Sequence, residues 1–351
     1  MPISCSFPCE GPARFVPDSY RKTALARAGG FFNTYYEDEG HYHEESVETV
    51  AGDNGRYYDC LYETIVNGAE PLVTEAKGEG WAMEMRAFHT ASGEVAYWVD
   101  AFAGPDAEWL VFLPGLTADH TLFDAQLAYF SGKANCLVWD APAHGASRPY
   151  PLDFSMDDLA RILHDILESE GIERPVLVGQ SLGGYVSQAF IGLYPGEVAG
   201  FVAIDSAPLK RKYYPTWEVK ALRHTKGMYQ AIPWALLKPW GSWGTATTER
   251  GRAGMRSFMD GYTKREYVDL AAHGYRMLAD TVESKQRFDI DCPALLLCGE
   301  KDHAGDVRPF NRKWAAGEGI PLVWVPGAGH NSNVDAPGFV NAQIEEFVAS
   351  L

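Results

Sequence analysis

The sequence predicts an α/β fold in which a mostly parallel β-sheet is covered by helices on both faces. From about residue 108 onward, short apolar runs alternate with amphipathic helical patterns. Continuous apolar runs are typical of strands that are buried on both faces, and strands that alternate with helices form a parallel sheet. The predicted buried strands are Trp109–Leu113, Ala134–Trp139, Pro175–Val178, Gly200–Ile204, Pro293–Cys298 and Pro321–Val325.

The composition is that of an ordinary globular protein. The 351 residues are 46% hydrophobic and 22% charged, and the formal net charge is −17. This acidic balance argues against nucleic acids and anionic membrane surfaces as partners. No apolar stretch is long enough to span a bilayer, residues 1–10 do not resemble a signal peptide, and nothing indicates an oligomeric state. We therefore expect a cytoplasmic protein with no membrane partner.

The elements before the first buried strand differ from the rest of the chain. Residues 1–80 form a predicted N-terminal extension of unassigned role, which includes an acidic, aromatic stretch at 35–48 and a helical pattern at 56–66. Two strands follow, Met83–Phe88 and Glu94–Asp100, with a turn around Ser92-Gly93 between them. We expect the core to comprise residues 81–208 and 289–351.

The clearest helical pattern covers residues 155–170. Ser155 and Asp158 resemble a capping box, and Gly171 stands where a left-handed C-terminal residue is favoured. Residues 209–288 contain no buried-strand pattern but are rich in aromatic residues and glycine. This segment is predicted to be a helical insertion between two core strands.

A Gly-x-Ser-x-Gly motif connects the third buried strand to a helix. Gly179, Ser181 and Gly183 are its fixed positions. A serine on such a tight turn projects its hydroxyl from the edge of the sheet, and small residues on either side avoid a collision across the turn. In the strand-turn-helix setting that this chemistry requires, the motif predicts Ser181 as a nucleophile.

A serine nucleophile needs a base, and the base needs an acid to orient it. Asp302 follows one buried strand and His330 follows the next, so both are predicted at the same edge of the sheet as Ser181. Asp205 and Asp306 are the alternative acids, because Asp205 also follows a buried strand. The main-chain N–H groups of Leu182 and Leu116 are the predicted oxyanion donors.

These residues resemble the α/β-hydrolase superfamily, and more closely its cap-bearing serine esterase and lipase-like members. The resemblance covers residues 83–351. Residues 143–147, Ala-His-Gly-Ala-Ser, are similar to a structural Gly-His-Gly-x-Ser loop of the family, which implies a structural role for His144. Many members have His-Gly at the oxyanion loop, where this chain has Pro114-Gly115. The resemblance also implies that residues 209–288 act as a cap over the site.

The predicted reaction is hydrolysis of a small apolar carboxylic ester through an acyl-serine intermediate. Trp217 and Trp234 are the cap aromatics that we expect to reach the substrate. The alternatives are another reaction of the same residues, such as acyl transfer, perhydrolysis or C–C bond hydrolysis, and a non-enzymatic receptor on the same fold. We expect neither a cofactor nor a metal: Cys136 and Cys298 are predicted buried thiols, and Cys5 and Cys9 have no partner pair.

Overall fold

The computed structural model describes residues 83–284 and 286–351. The predicted extension at residues 1–80, with its helical pattern at 56–66, lies outside these ranges. Within them, no helix has both the length and the apolar character needed to cross a bilayer.

The described residues form one eight-stranded sheet. The strands are β1 (Glu84–His89), β2 (Glu94–Asp100), β3 (Trp109–Leu113), β4 (Asn135–Trp139), β5 (Val176–Gln180), β6 (Gly200–Ile204), β7 (Ala294–Gly299) and β8 (Leu322–Val325). Their order across the sheet is β1-β2-β4-β3-β5-β6-β7-β8. The first strand pairs antiparallel with β2 and β2 pairs antiparallel with β4, whereas all other neighbours are parallel. The sheet is therefore mostly parallel, as predicted.

All predicted strands are present, and their bounds differ from the prediction by at most two residues. Every residue of β4, β5 and β6 is buried, which requires cover on both faces of the sheet. The edge strand β1 is largely exposed. At the other edge, the prediction that residues 321–325 form a buried strand is wrong in part: β8 has no neighbour on its outer side, and only Val325 is buried.

The helices, in chain order, are α1 (Asp124–Phe130), α2 (Met156–Glu170), α3 (Leu182–Leu193), α4 (Thr216–Leu222), α5 (Thr225–Ala231), α6 (Trp234–Thr245), α7 (Glu249–Asp260), α8 (Lys264–Glu283), α9 (Val307–Glu318), α10 (Ser332–Asp335) and α11 (Pro337–Val348).

Local signals explain where α2 begins and ends. Ser155 and Asp158 form both halves of a capping box, so two N–H groups at the start of the helix have acceptors. Gly171 ends it with φ of 67°, a left-handed conformation that glycine adopts without strain. Both features confirm the prediction made from the sequence.

The chain between β6 and β7 is helical, as its lack of buried-strand patterns predicts. Five helices, α4 to α8, occupy this stretch, which we call the helical insertion (residues 209–288). The longest, α8, begins with a second capping box between Thr263 and Glu266. Because β3, β5, β6, β7 and β8 are parallel, the loops that follow them leave the sheet at one edge.

Candidate active site

Ser181 stands alone between the end of β5 and the start of α3. Its backbone has φ of 50° and ψ of −110°, a sparsely populated conformation for a residue with a side chain. Such a conformation costs about 1–3 kcal/mol and persists only where the surrounding structure enforces it. The strained turn is the one that a Gly-x-Ser-x-Gly motif predicts, and it directs the hydroxyl out of the sheet.

The two motif glycines permit this turn because no side chain fits at either position. A β-carbon on Gly179 would overlap the main chain of Gly183, and one on Gly183 would overlap the Leu113 carbonyl group. The turn between β5 and α3 therefore packs backbone against backbone. The predicted collision across the turn is confirmed for Gly179, whereas Gly183 is small because it lies against the end of the neighbouring strand β3.

The structure brings Ser181, His330 and Asp302 into one hydrogen-bonded row. The Ser181 Oγ atom lies 2.9 Å from Nε2 of His330. The Nδ1 atom of the same imidazole lies 2.9 Å from Oδ2 of Asp302. His330 and Asp302 are 9% and 2% exposed, so their interaction lies away from bulk water, whereas Ser181 is half-buried. An imidazole in this position can accept the hydroxyl proton while the carboxylate stabilises the resulting positive charge.

The charges around His330 favour its protonated form. Burial disfavours an imidazolium, but the charge of Asp302, the hydrogen bond to it and the charge of Asp205 outweigh burial. The pKa of His330 is therefore raised above its ordinary value. The second oxygen of Asp302 accepts a 2.8 Å hydrogen bond from the Ala304 N–H, which fixes the carboxylate in place.

The other two predicted acids are placed differently. Asp306 is exposed at the start of α9. Asp205 is fully buried, but its oxygens accept hydrogen bonds from the main-chain N–H groups of Gly299 and Ser332. Of the three aspartates, Asp302 is thus the one hydrogen-bonded to His330.

The two predicted oxyanion donors lie on the segments that follow β3 and β5. As the first residue of α3, Leu182 has an N–H group with no acceptor inside its own helix. In the loop after β3, the turn hydrogen bond runs from the Ala118 N–H to the Gly115 carbonyl and leaves the Leu116 N–H outside it. The Leu116 side chain packs on α8, where a β-carbon at Gly274 would lie 2.6 Å from it.

Gln180 is a site residue that the sequence did not reveal. Its Nε2 atom donates a 2.8 Å hydrogen bond to the main-chain carbonyl of His330. A β-carbon at Gly115 would overlap the Gln180 side chain, so the glycine of Pro114-Gly115 makes room for it. The position of Gln180 inside the motif, next to the serine, is the signal that could have found it.

Asp335 connects the helical insertion to the loop that carries His330. Its carboxylate accepts hydrogen bonds of 2.8 Å from the Thr247 N–H, 2.9 Å from the Thr248 N–H and 2.8 Å from the Gly329 N–H. The Asn331 N–H donates a further 2.8 Å bond to the Thr245 carbonyl. The end of α6 is thus hydrogen-bonded directly to Asn331, and the turn after it is connected to Gly329 through the Asp335 carboxylate.

The two predicted pocket tryptophans occupy different environments. Trp217, on α4, has 68% of its surface exposed. Trp234, at the start of α6, is partly buried and packs on Tyr267 with 5.3 Å between the ring centroids. Burial raises the pKa of Tyr267 to about 12. Trp234 is therefore the more buried of the two predicted pocket tryptophans.

His144 is buried, and its Nδ1 atom lies 3.0 Å from the Pro142 carbonyl oxygen, which suits the structural role expected of it.

One cluster of potential metal ligands lies beside the candidate site. It comprises one ligand atom each from Asp205, Cys298 and Asp302, all within 4.8 Å of one another. Burial raises the pKa of the Cys298 thiol, and both carboxylates are already hydrogen-bonded to protein groups. These contacts argue against a metal site there.

A strained serine turn at the edge of a mostly parallel sheet, with a buried histidine and aspartate beside it, is typical of α/β-hydrolases. The sequence profile of the alpha/beta hydrolase family matches residues 110–343. The chain belongs to this family.

Several relatives share parts of the chain. It is 26% identical over 182 residues to a (lyso)-N-acylphosphatidylethanolamine lipase of Bos taurus, with 48% of this chain and 49% of the relative covered. The chain thus matches about half the length of that lipase. It is also 23% identical over 257 residues to a 2-(acetamidomethylene)succinate hydrolase of Mesorhizobium japonicum. This match covers 68% of this chain and 87% of the relative.

A solved structure has a similar fold. A thermophilic esterase from Thermogutta terrifontis superposes with a TM-score of 0.59 at 19% identity, covering 76% of this chain and 98% of the esterase. At this identity the likeness concerns the fold.

Proposed function

We propose that this α/β-hydrolase cleaves a small apolar carboxylic ester through an acyl-serine intermediate. The observation that carries the proposal is the row in which Ser181 Oγ and Asp302 Oδ2 each lie 2.9 Å from a different nitrogen of His330. The row contains a nucleophile, a base and an acid in the order that acyl transfer requires.

In the first half of the reaction, His330 Nε2 takes the proton from Ser181 as the oxygen attacks the ester carbonyl. The main-chain N–H groups of Leu182 and Leu116 would hold the negative oxygen of the tetrahedral intermediate. The C–O bond to the alcohol then breaks, and the leaving oxygen takes the proton from His330. The acyl group of the substrate remains bound to the Ser181 oxygen as an ester.

In the second half, a water molecule gives a proton to His330 and attacks the acyl carbon. The bond to the Ser181 oxygen breaks, the serine regains its proton from His330 and the carboxylic acid leaves. Asp302 keeps the imidazole in the tautomer that accepts a proton at Nε2 throughout both halves.

We further propose that the helical insertion caps the site and forms an apolar pocket. The contact of the Leu116 side chain with α8 supports this placement, because it puts the insertion against the loop that carries an oxyanion donor. Trp234 is the better of the two tryptophans for a substrate contact, since Trp217 is mostly exposed.

Labelling with a fluorophosphonate tests the reaction directly. The expected result is one covalent adduct on the peptide that contains Ser181, found by mass spectrometry, and no adduct in a Ser181→Ala variant. Turnover of short-chain p-nitrophenyl esters should disappear in the same variant. A folded wild-type protein that forms no adduct on Ser181 would count against the proposal.

The second candidate is a different reaction of the same three side chains. It is favoured by the Mesorhizobium japonicum relative, which covers more of this chain than the bovine lipase does and is not named for an ester substrate. Comparing ester hydrolysis with acyl transfer to added alcohols separates hydrolase from transferase. A labelled protein that turns over no ester would favour this second candidate.

A further inference from the structure

Asp205 is a buried carboxylate that the reaction above does not use. It follows β6 directly and is fully buried. Its φ of 48° is in the left-handed region, which a residue with a side chain rarely adopts. A buried charge and a strained backbone at one residue both cost free energy, so other contacts must stabilise this arrangement.

Those contacts connect the two loops that carry the base and the acid. One Asp205 oxygen accepts a 2.7 Å hydrogen bond from the N–H of Gly299, which precedes Asp302 by three residues. The other oxygen accepts a 2.9 Å bond from the N–H of Ser332, which follows His330 by two residues. A single side chain thus fixes both partners of the row through their own backbones.

The next residue connects to the third loop. The Ser206 hydroxyl donates a 2.8 Å hydrogen bond to the main-chain carbonyl of Ser181. The Ser206 carbonyl in turn accepts a 2.6 Å hydrogen bond from the Asn311 side chain on α9, which anchors residues 205 and 206 to that helix. Residues 205 and 206 therefore contact all three loops that supply the row.

A carboxyl group has an acceptor oxygen for each of the two main-chain donors. An asparagine could accept one N–H group, but its amide nitrogen would face the other donor. The pKa of Asp205 is raised, because burial and the charge of Asp302 outweigh the effects of His330 and the two N–H donors, which lower it. The charged groups that face this carboxylate are Asp302 and His330, and the neutral Cys298 thiol also lies beside it.

We propose that Asp205 is a positioning residue, whose carboxyl group holds the Asp302 and His330 loops in register with the Ser181 turn. The inference rests on the proposed function, because it assigns Asp205 to the support of that row. The carboxylate has a second effect by its charge, since it lies close enough to His330 to favour the imidazolium.

The test measures the rate of fluorophosphonate labelling of Ser181 against pH in an Asp205→Asn variant. Loss of loop register should slow labelling by about 10- to 100-fold, as small misplacements of catalytic groups do. Loss of the negative charge lowers the pKa of His330, so the acidic limb of the profile should move to lower pH. A merely structural role would not move this limb.

Asp100→Asn is the matched control. Asp100 is also a buried aspartate, 2% exposed, whose carboxylate accepts bonds from the Phe102 N–H and the Ser131 hydroxyl. It lies at the opposite edge of the sheet, because its register partner Cys136 is near the start of β4. This variant should lose stability but keep the labelling rate and pH profile of the wild type.

Two measurements keep the proposal open to refutation if Asp205→Asn does not fold. Ser206→Ala, a milder change, should also slow labelling, since it removes the bond to the Ser181 carbonyl. In the wild type, the Gly299 and Ser332 amides should exchange hydrogen as slowly as amides of β5. Labelling of folded Asp205→Asn at the wild-type rate with an unmoved acidic limb, or fast exchange of both amides, overturns the inference. A wild type that never labels would instead refute the proposed function.

Discussion

Gln180 donates a hydrogen bond to the main-chain carbonyl of His330 across 150 positions of sequence. Gln180→Ala should leave this buried carbonyl without a donor and lower the free energy of unfolding by about 1–3 kcal/mol. Because the loop that carries the base is then less firmly held, labelling of Ser181 should slow as well. Urea unfolding and fluorophosphonate labelling measure the two effects.

The control for this variant is Asn135→Ala. Asn135 lies at the start of β4, at the edge of the sheet opposite to Ser181; it is also buried, and its Nδ2 donates a 2.7 Å bond to the Gly104 carbonyl. It should lose comparable stability without a change in labelling rate. Equal labelling rates in both variants would contradict the role assigned to Gln180.

The pH dependence of labelling should reflect the raised pKa of His330. The imidazole must be neutral to accept a proton, so the rate should fall as pH decreases through a value above that of an ordinary histidine, about 6.5. Asp302→Asn removes the nearest negative charge, which lowers this pKa and moves the acidic limb to lower pH.

The same variant should reduce the plateau rate by about 10³- to 10⁴-fold, because an amide at position 302 can stabilise the tautomer protonated at Nε2. Asp306→Asn, at the exposed start of α9, is its control and should change neither limb nor plateau. A limb that stays in place in Asp302→Asn would argue that another acid faces His330.

Gly183→Ala and Gly254→Ala should change stability in opposite directions. A β-carbon at Gly183 overlaps the Leu113 carbonyl, so this variant should lose about 3 kcal/mol and lose labelling with it. Gly254 lies inside α7 with nothing within 4 Å of an added β-carbon. There alanine should raise stability by about 0.5–1 kcal/mol, since it favours a helix. Thermal unfolding measures the stability of both variants. A Gly183→Ala variant as stable as the wild type would show that the predicted overlap with Leu113 does not occur.

The carboxylate of Asp335 should contribute more to stability than an ordinary surface carboxylate. Asp335→Ala leaves the Thr247, Thr248 and Gly329 amides without their acceptor and should cost about 3 kcal/mol. Hydrogen exchange should become faster at these amides.

Asp291→Ala provides the comparison for Asp335. Asp291 accepts only one N–H bond, 3.0 Å from Gly196 in an exposed setting, so this variant should lose less than about 1 kcal/mol. Similar losses of stability in the two variants would show that Asp335 does not fix the loop before His330.

Most of the fold could be predicted because its strands are continuous apolar runs and its best helix has signals at both ends. The row of Ser181, His330 and Asp302 could also be predicted, since each residue follows a parallel strand whose sequence is an apolar run. Asp205 shares this property, so strand position alone did not separate the two aspartates. The two differ in their hydrogen-bond partners: the Asp205 oxygens accept bonds from main-chain N–H groups, whereas Asp302 is bonded to the His330 ring.

Supporting residues such as Gln180 and Asp335 were not predicted for a related reason. They act through hydrogen bonds to main-chain groups of distant segments, for example Asp335 to Thr247. Any residue has such main-chain groups, so neither periodicity nor a motif marks the partner. Their contribution depends on how the loops approach one another in the folded chain.

The hydrogen bonds between the α6–α7 turn and the histidine loop also determine how a ligand can enter. Displacing the whole insertion as a rigid body would pull residues 329 and 331 with it and separate the base from the serine. By contrast, α5 has no buried residue and α6 has only two. Entry should therefore require movement of α5 and of the part of α6 before Thr245, while residues 245–248 remain stationary and the loop that carries His330 stays beside Ser181.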